Sequence, residues 1–268
     1  MRIRTILITA ALALTAACQS VQTTQPGAVG VERKQMMLVS EKEVELGAQE
    51  AYRQELEKAR AKNALNSDSQ TYQRVQKIAQ RLIPQTGVFR PDATQWKWEV
   101  NVQSSEDVNA YCMPGGKIMV YTGLIDELKA TDAELAAVIG HEIAHALREH
   151  SRERLSRAYA EQIALAGIAL ATGAGQDTMA LASQVSAVTF TLPHSREQEA
   201  EADRIGLELM ARAGYDPNAA ISLWQKMAKL GGGGRPEFMS THPSSESRIR
   251  DLEANVPRVL PLYQAAKK

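Results

Sequence analysis

Apolar positions recur at two different periods along this chain and divide it into helical and extended stretches. From Ser40 the spacing is helical: Ser40 and Glu43 form a capping box, and Val44, Leu46 and Tyr52 then fall among charged residues. A second helix is predicted over about 70–82, with Val75, Ile78 and Leu82 on one face and Pro84 and Gly87 ending it. Residues 96–102 alternate apolar and polar, the period of a half-buried strand. Residues 109–112 and 117–121 flank Met113-Pro114-Gly115-Gly116, which predicts two short strands around a tight turn. Beyond the turn the pattern is helical. Thr131 and Glu134 form a capping box for a long helix through Glu149, and a further helix follows over about 151–172. Its apolar run 163–170 is far shorter than the roughly 20 residues that span a bilayer, so it reads as a buried helix. Helices are also predicted over about 177–188, 194–213, 217–230 and 244–256, with a glycine loop at 231–234. The expected fold is α+β and mostly α-helical, with a small antiparallel sheet beside the long helix. Residues 40–258 form one domain, 18–39 a polar tether and 259–268 a tail.

Composition narrows the function. Hydrophobic residues are 44% of the 268, enough for a core, which excludes global disorder. Lys and Arg number 31 and so do Asp and Glu, so no basic excess exists to neutralise phosphates, and a nucleic-acid binder is not expected. Two cysteines, Cys18 and Cys112, exclude a disulfide framework and a four-cysteine zinc site, and Cys112 reads as a free buried thiol. The start of the chain has its own pattern. Arg2 and Arg4 precede a short apolar run that ends Leu14-Thr15-Ala16-Ala17-Cys18. Residues 1–17 read as a secretory signal peptide. Its end resembles a bacterial lipobox, with Thr15 where that pattern usually has Leu, and Cys18 as the lipidated first residue. Gln19, not Asp, follows, which by analogy with bacterial sorting points to the outer membrane. The alternative is ordinary cleavage after Ala17, leaving a soluble periplasmic protein.

The chemistry lies in His141-Glu142-Ile143-Ala144-His145. Positions four apart share a helix face, so both imidazoles reach one metal, with Glu142 beside them. A catalytic zinc takes three protein ligands, keeps a position for water and lowers that water's pKa toward about 7, so that a glutamate can take its proton. The third ligand is not in the same helix pattern. Arg148 and Ser151 stand where a metzincin needs Gly and His. His150 is nine residues from His141, on the opposite helix face, and reads as a surface or packing histidine. A carboxylate from another helix remains. Glu199 and Asp203 are four apart and share a face, so one can ligate while the other holds a ligand histidine by its second nitrogen; Glu201 points away from them.

Ser195, Arg196, Glu199, Glu201, Ala202, Asp203 and Gly206 fall in the register S-R-x-x-E-x-E-A-D-x-x-G. Residues 109–124 match N-A-[FY]-x-x-P-G-G-x-I-x-[VI]-[YF]-[ST]-G-L, and Thr241, His242, Pro243 and Arg248 match T-H-P-x-x-x-x-R. Together with the HExxH stretch, these motifs resemble the HtpX, BepA and LoiP peptidases, gluzincins related to the CAAX prenyl protease and the mitochondrial Oma-type proteases. The resemblance covers about 109–248 and is nearest the lipid-anchored or soluble periplasmic branch. It implies a zincin-like fold and a zinc endopeptidase of misfolded or mis-assembled envelope proteins. His141, His145 and Glu199 would be the ligands of one Zn2+, Glu142 the general base and Asp203 the residue holding a ligand histidine. His242 and Arg248 would belong to the catalytic site, with His242 either a donor to the oxyanion or a ligand at rest. The strand after the Asn109 to Gly115-Gly116 turn region would take substrate backbone as an added strand. Partners would be envelope proteins and peptides, the membrane through Cys18, and outer-membrane assembly machinery. The competing function is a chaperone or scaffold with a structural or latched zinc, which would have no need of Glu142.

Overall fold

The computed structural model describes residues 19–166, 178–230, 237–242 and 246–267. The signal-peptide expectation over 1–17, the Cys18 anchor, the apolar run beyond 166 and the glycine loop at 231–234 lie outside these residues. No helix among the described residues is long and apolar enough to cross a membrane.

Two short strands, β1 (Gln19–Val21) and β2 (Gln35–Met37), pair antiparallel near the N-terminus. The segment they bound was expected to be a tether. It is packed: Val29 and Val31 join the main core, and Thr24 and Gln35 are buried. Its polarity misled because the polar groups are satisfied inside the protein. Gln35 Nε2 donates to the Arg148 carbonyl and to Glu153.

Helix α1 (Glu41–Ala61) starts at the Ser40–Glu43 capping box, and α2 (Ser69–Leu82) is capped by Asp68 and buries Val75, Ile78 and Leu82. Three strands follow: β3 (Glu99–Gln103), β4 (Ala110–Met113) and β5 (Lys117–Tyr121). Their order is β3-β5-β4. The hairpin β4–β5 is antiparallel, but β3 runs parallel to β5, with Val100 opposite Ile118. The sheet is therefore mixed, not antiparallel as expected. Every residue of β5 is buried, whereas β3 alternates. A strand apolar on both faces belongs in the centre, which leaves β3 and β4 at the edges.

The two faces of the sheet serve two cores. Cys112, Ile118 and Val120 point into the main core with α2 and the long helix; Tyr111, Met113, Met119 and Tyr121 point into a second core with α1 and α6. After α3 (Thr122–Leu128) comes that long helix, α4 (Asp132–Leu147), capped by Thr131 and Glu134 and buried from Glu134 onward. It does not continue as expected. Glu149 takes a left-handed φ of 50°, and α5 (His150–Ala166) starts afresh. Helices α6 (Thr178–Phe190), α7 (Arg196–Arg212), α8 (Asn218–Lys229), α9 (Glu237–Thr241) and α10 (Glu246–Ala266) complete the described chain. The expected tail is the last part of α10, with Val259 buried. Pro257 and Pro261 lie on its exposed side.

Candidate metal centre

Helices α4 and α7 bring the site together. They touch through glycines: a Cβ on Gly206 would lie 2.8 Å from His141 N, and one on Gly140 would lie 3.0 Å from Gly206 O. This contact brings His141 and His145 of α4 against Glu199 and Asp203 of α7. The chain returns from α9 with His242, whose backbone N–H donates to Phe238 O.

Their polar atoms converge. His141 Nε2 lies 3.0 Å from His145 Nε2 and 3.3 Å from His242 Nδ1. Glu199 Oε1 lies 3.4 Å from His145 Nε2 and 3.0 Å from His242 Nδ1, and Glu199 Oε2 lies 3.6 Å from His141 Nε2. All four residues are buried. Ligands about 2.0–2.1 Å from one tetrahedral zinc lie about 3.3–3.4 Å from one another. The donor set and its spacing fit that ion. Glu142 adds a second sign: its Oε1 is buried without a hydrogen bond, 3.5 Å from His242 Nε2.

Asp203 and Arg248 stand behind these groups. Asp203 Oδ1 is 3.0 Å from His141 Nδ1. Arg248 donates from Nε and Nη2 to the two Asp203 oxygens, at 2.7 Å each, and its Nη1 is 2.5 Å from Glu199 Oε2. Its guanidinium also covers the Trp224 ring at 3.7 Å. Arg248 therefore steadies two carboxylates and does not face the cavity chemistry itself. Burial pushes the Glu199 carboxyl up, but Arg248 and the histidines beside it outweigh burial and hold it well below its ordinary value. The same guanidinium outweighs the burial of Asp203. Burial wins at Glu142, raising its carboxyl against the pull of His242 and His141, and burial keeps His145 neutral, well below the usual histidine range.

The substrate strand needs correction. Gly115 and Gly116 adopt φ of 76° and 81° and shape the turn, and a Cβ on Gly116 would strike Trp98. Neither lines the site. Strand β5, after the turn, has a strand on both edges; among the described residues, no strand lies on the outer edge of β4. Beside β4 lies a cavity lined by Asn109, Cys112, Glu142, His145, Arg154 and His194, among others. Asn109 thus lines the same cavity as Glu142.

Three residues here escaped the sequence pattern. The helix period puts His150 on the opposite face of a continuing helix, as a surface or packing histidine. It is fully buried, its Nδ1 2.7 Å from His145 Nδ1 and its Nε2 3.0 Å from Glu201 Oε2, because the helix breaks at Glu149. Burial pushes its pKa down to about 4. The His194 ring lies tilted 3.9 Å from that of His145 and stacks on that of His242 at 4.8 Å. Arg154, buried and with Nε unpartnered, touches His194 Nδ1, and burial lowers its pKa to about 10. One signal was available: the chain has five histidines, and all five meet here.

Comparison with known proteins agrees with this geometry. The profile of Peptidase family M48 matches residues 69–256. The chain is 44% identical over 160 residues to the mitochondrial metalloendopeptidase OMA1 of Arabidopsis thaliana, covering 59% of this chain and 32% of that one. It is 28% identical over 156 residues to the metalloprotease YcaL of Escherichia coli (58% and 61% covered). It is 29% identical over 172 residues to the beta-barrel assembly-enhancing protease of the same bacterium (59% and 34% covered). The chain thus spans less than two thirds of the length of each of these relatives.

Proposed function

Because the chain belongs to peptidase family M48, we propose that it is a zinc-dependent endopeptidase in which His141, His145 and Glu199 hold the ion and Glu142 is the general base. The observation that carries this reading is the convergence of three imidazole nitrogens and the Glu199 carboxylate in a buried space, with the unpaired Glu142 Oε1 beside it. Zinc, when bound, polarises the scissile carbonyl and lowers the pKa of water toward about 7. Glu142, with a carboxyl raised by burial, takes the proton of the attacking water and passes it to the departing amine. His242 Nδ1 stands among the ligand atoms, where it would fill the fourth position at rest, and its Nε2 faces Glu142, from where the ring, once off that position, would donate to the oxyanion that forms on the carbonyl. Asp203 keeps His141 oriented, and Arg248 keeps Glu199 and Asp203 ionised. The β4 edge offers backbone groups to an extended substrate.

The finer reading places this activity in the bacterial envelope, on misfolded or mis-assembled proteins, with the chain anchored through Cys18. The signal-like start, the lipobox-like ending of that segment and the two Escherichia coli relatives support it. A chaperone or scaffold would leave Glu142 without a task. Glu142→Gln is expected to retain zinc and to slow digestion of an unfolded protein such as casein by roughly 10²–10⁴-fold. Turnover equal to the unaltered chain in that variant excludes Glu142 as base.

A further inference from the structure

We propose that Glu201 and His150 form a proton-ordered relay that fixes ligand His145 in its metal-holding tautomer, and that Arg33 of the N-terminal segment locks the relay. The inference rests on the reading of His145 as a zinc ligand.

His145 Nδ1 and His150 Nδ1 stand 2.7 Å apart, so one of them carries the proton and the other accepts it. His150 Nε2 faces Glu201 Oε2 at 3.0 Å. Two arrangements are open to neutral rings. In the first, His145 Nδ1–H donates to His150 Nδ1, and His150 Nε2–H donates to Glu201. His145 Nε2 then presents a lone pair toward His141 Nε2 and Glu199. In the second, His150 donates to His145, which moves the His145 proton onto Nε2 and closes that atom to a metal. It also leaves His150 Nε2 as an acceptor facing a carboxylate oxygen, two lone pairs opposed at hydrogen-bond distance. Glu199 Oε1 draws the proton the other way, onto His145 Nε2, but from 3.4 Å, whereas Glu201 Oε2 meets His150 Nε2 at 3.0 Å; the shorter contact selects the first arrangement. His141 has its own carboxylate, Asp203, directly at Nδ1; His145 has Glu201 one ring further away.

Glu201 is itself clamped. Arg148 Nε donates to its Oε2 at 3.1 Å, and Arg33 donates from Nε to Oε1 at 2.6 Å and from Nη2 to Oε2 at 3.1 Å. Arg33 also grips Glu153 at 2.6 and 2.9 Å, and Glu153 accepts from Gln198 and Gln35. Arg148, His150 and Glu153 are fully buried. Arg157 Nη2 adds a third guanidinium, 2.7 Å from Glu153 Oε1, so each of the two buried carboxylates is paired, as a buried charge requires. Helix geometry alone sets Glu201 apart from the metal, on the far side of α7 from Glu199. The break at Glu149 restores the connection by turning His150 back against His145.

The test is on the full chain and reads the metal site directly. In zinc-free protein, nitrogen-15 spectra of the histidine rings are expected to show His145 protonated at Nδ1 and not at Nε2. Zinc affinity, measured by competition with a chromophoric chelator, is expected to fall by about 10–100-fold in His150→Leu and Glu201→Gln, and toward the lower end of that range in Arg33→Ala. Val31→Ala, a packing change in the same segment, is expected to lower the melting temperature and leave zinc affinity alone. A wild-type chain that binds no zinc overturns the reading of the site. A wild-type chain that binds zinc but whose zinc-free form carries the His145 proton on Nε2, or folded variants that bind zinc as tightly, overturns the relay alone; the zinc-free wild-type spectrum decides even where a variant does not fold.

Discussion

Gly206 shows how little room a single position has at this site. A Cβ there would stand 2.8 Å from His141 N, 2.9 Å from Gly140 C and 3.0 Å from His141 Cα. All three are backbone atoms, so no side chain can swing aside. Gly206→Ala is expected to push α7 off α4, to cost about 1–3 kcal/mol of stability and to weaken zinc binding, since Glu199 and Asp203 move with α7. Thermal unfolding and chelator competition on the purified variant check both. What was legible at this scale followed from short-range helix geometry. His141 with His145 and Glu199 with Asp203 each repeat at four residues, and both pairs face the site. The roles of Arg154 and His194 were not legible, because their contact joins α5 to the loop before α7 and no period links positions 154 and 194. The misplacement of His150 has a definite cause: 100° per residue was carried past Glu149, where the helix ends.

Elements were legible where one capping motif or one period decided them, and less so where pairing did. The Ser40 and Thr131 N-caps both stand in the structure. The parallel partner of β3 could not be read from alternation, since period two says which face is buried and not which neighbour lies alongside. The N-terminal segment was harder still, because its buried polar residues look like solvated ones until Arg148 and Glu153 are in place. That segment has a consequence in acid. Burial raises the Glu153 carboxyl, but Arg33, Gln198 and Gln35 outweigh burial and hold it far below its ordinary value. A depressed carboxyl contributes stability above its unfolded pKa of about 4.3 and loses it as pH falls further. Glu153→Gln is therefore expected to lower the urea midpoint at pH 7 and to narrow the gap between the midpoints at pH 7 and pH 3. A gap as wide as that of the unaltered chain assigns the acid response to other carboxylates.

At the scale of the whole molecule, helices on both faces of the mixed sheet bury it in two cores, and the metal centre sits where α4, α7 and the chain around His242 meet. Where the molecule works in the cell rests on sequence outside the described residues. Cys18→Ser is expected to move the protein from the membrane to the soluble envelope fraction; membrane fractionation unchanged from the unaltered chain assigns any anchoring to another residue. The open edge of β4 bears on what such a protease can recognise. A polypeptide that has already committed its amides and carbonyls to its own sheets and helices has none left to offer that edge, whatever its side chains. A chain that has lost its fold has them along its whole length. For an enzyme of this design, the sorting of damaged from sound proteins would then be a question put to the backbone: whether a short stretch can be surrendered at little cost. Sequence preference at the cleaved bond would come second to that, and one enzyme could serve many unrelated clients.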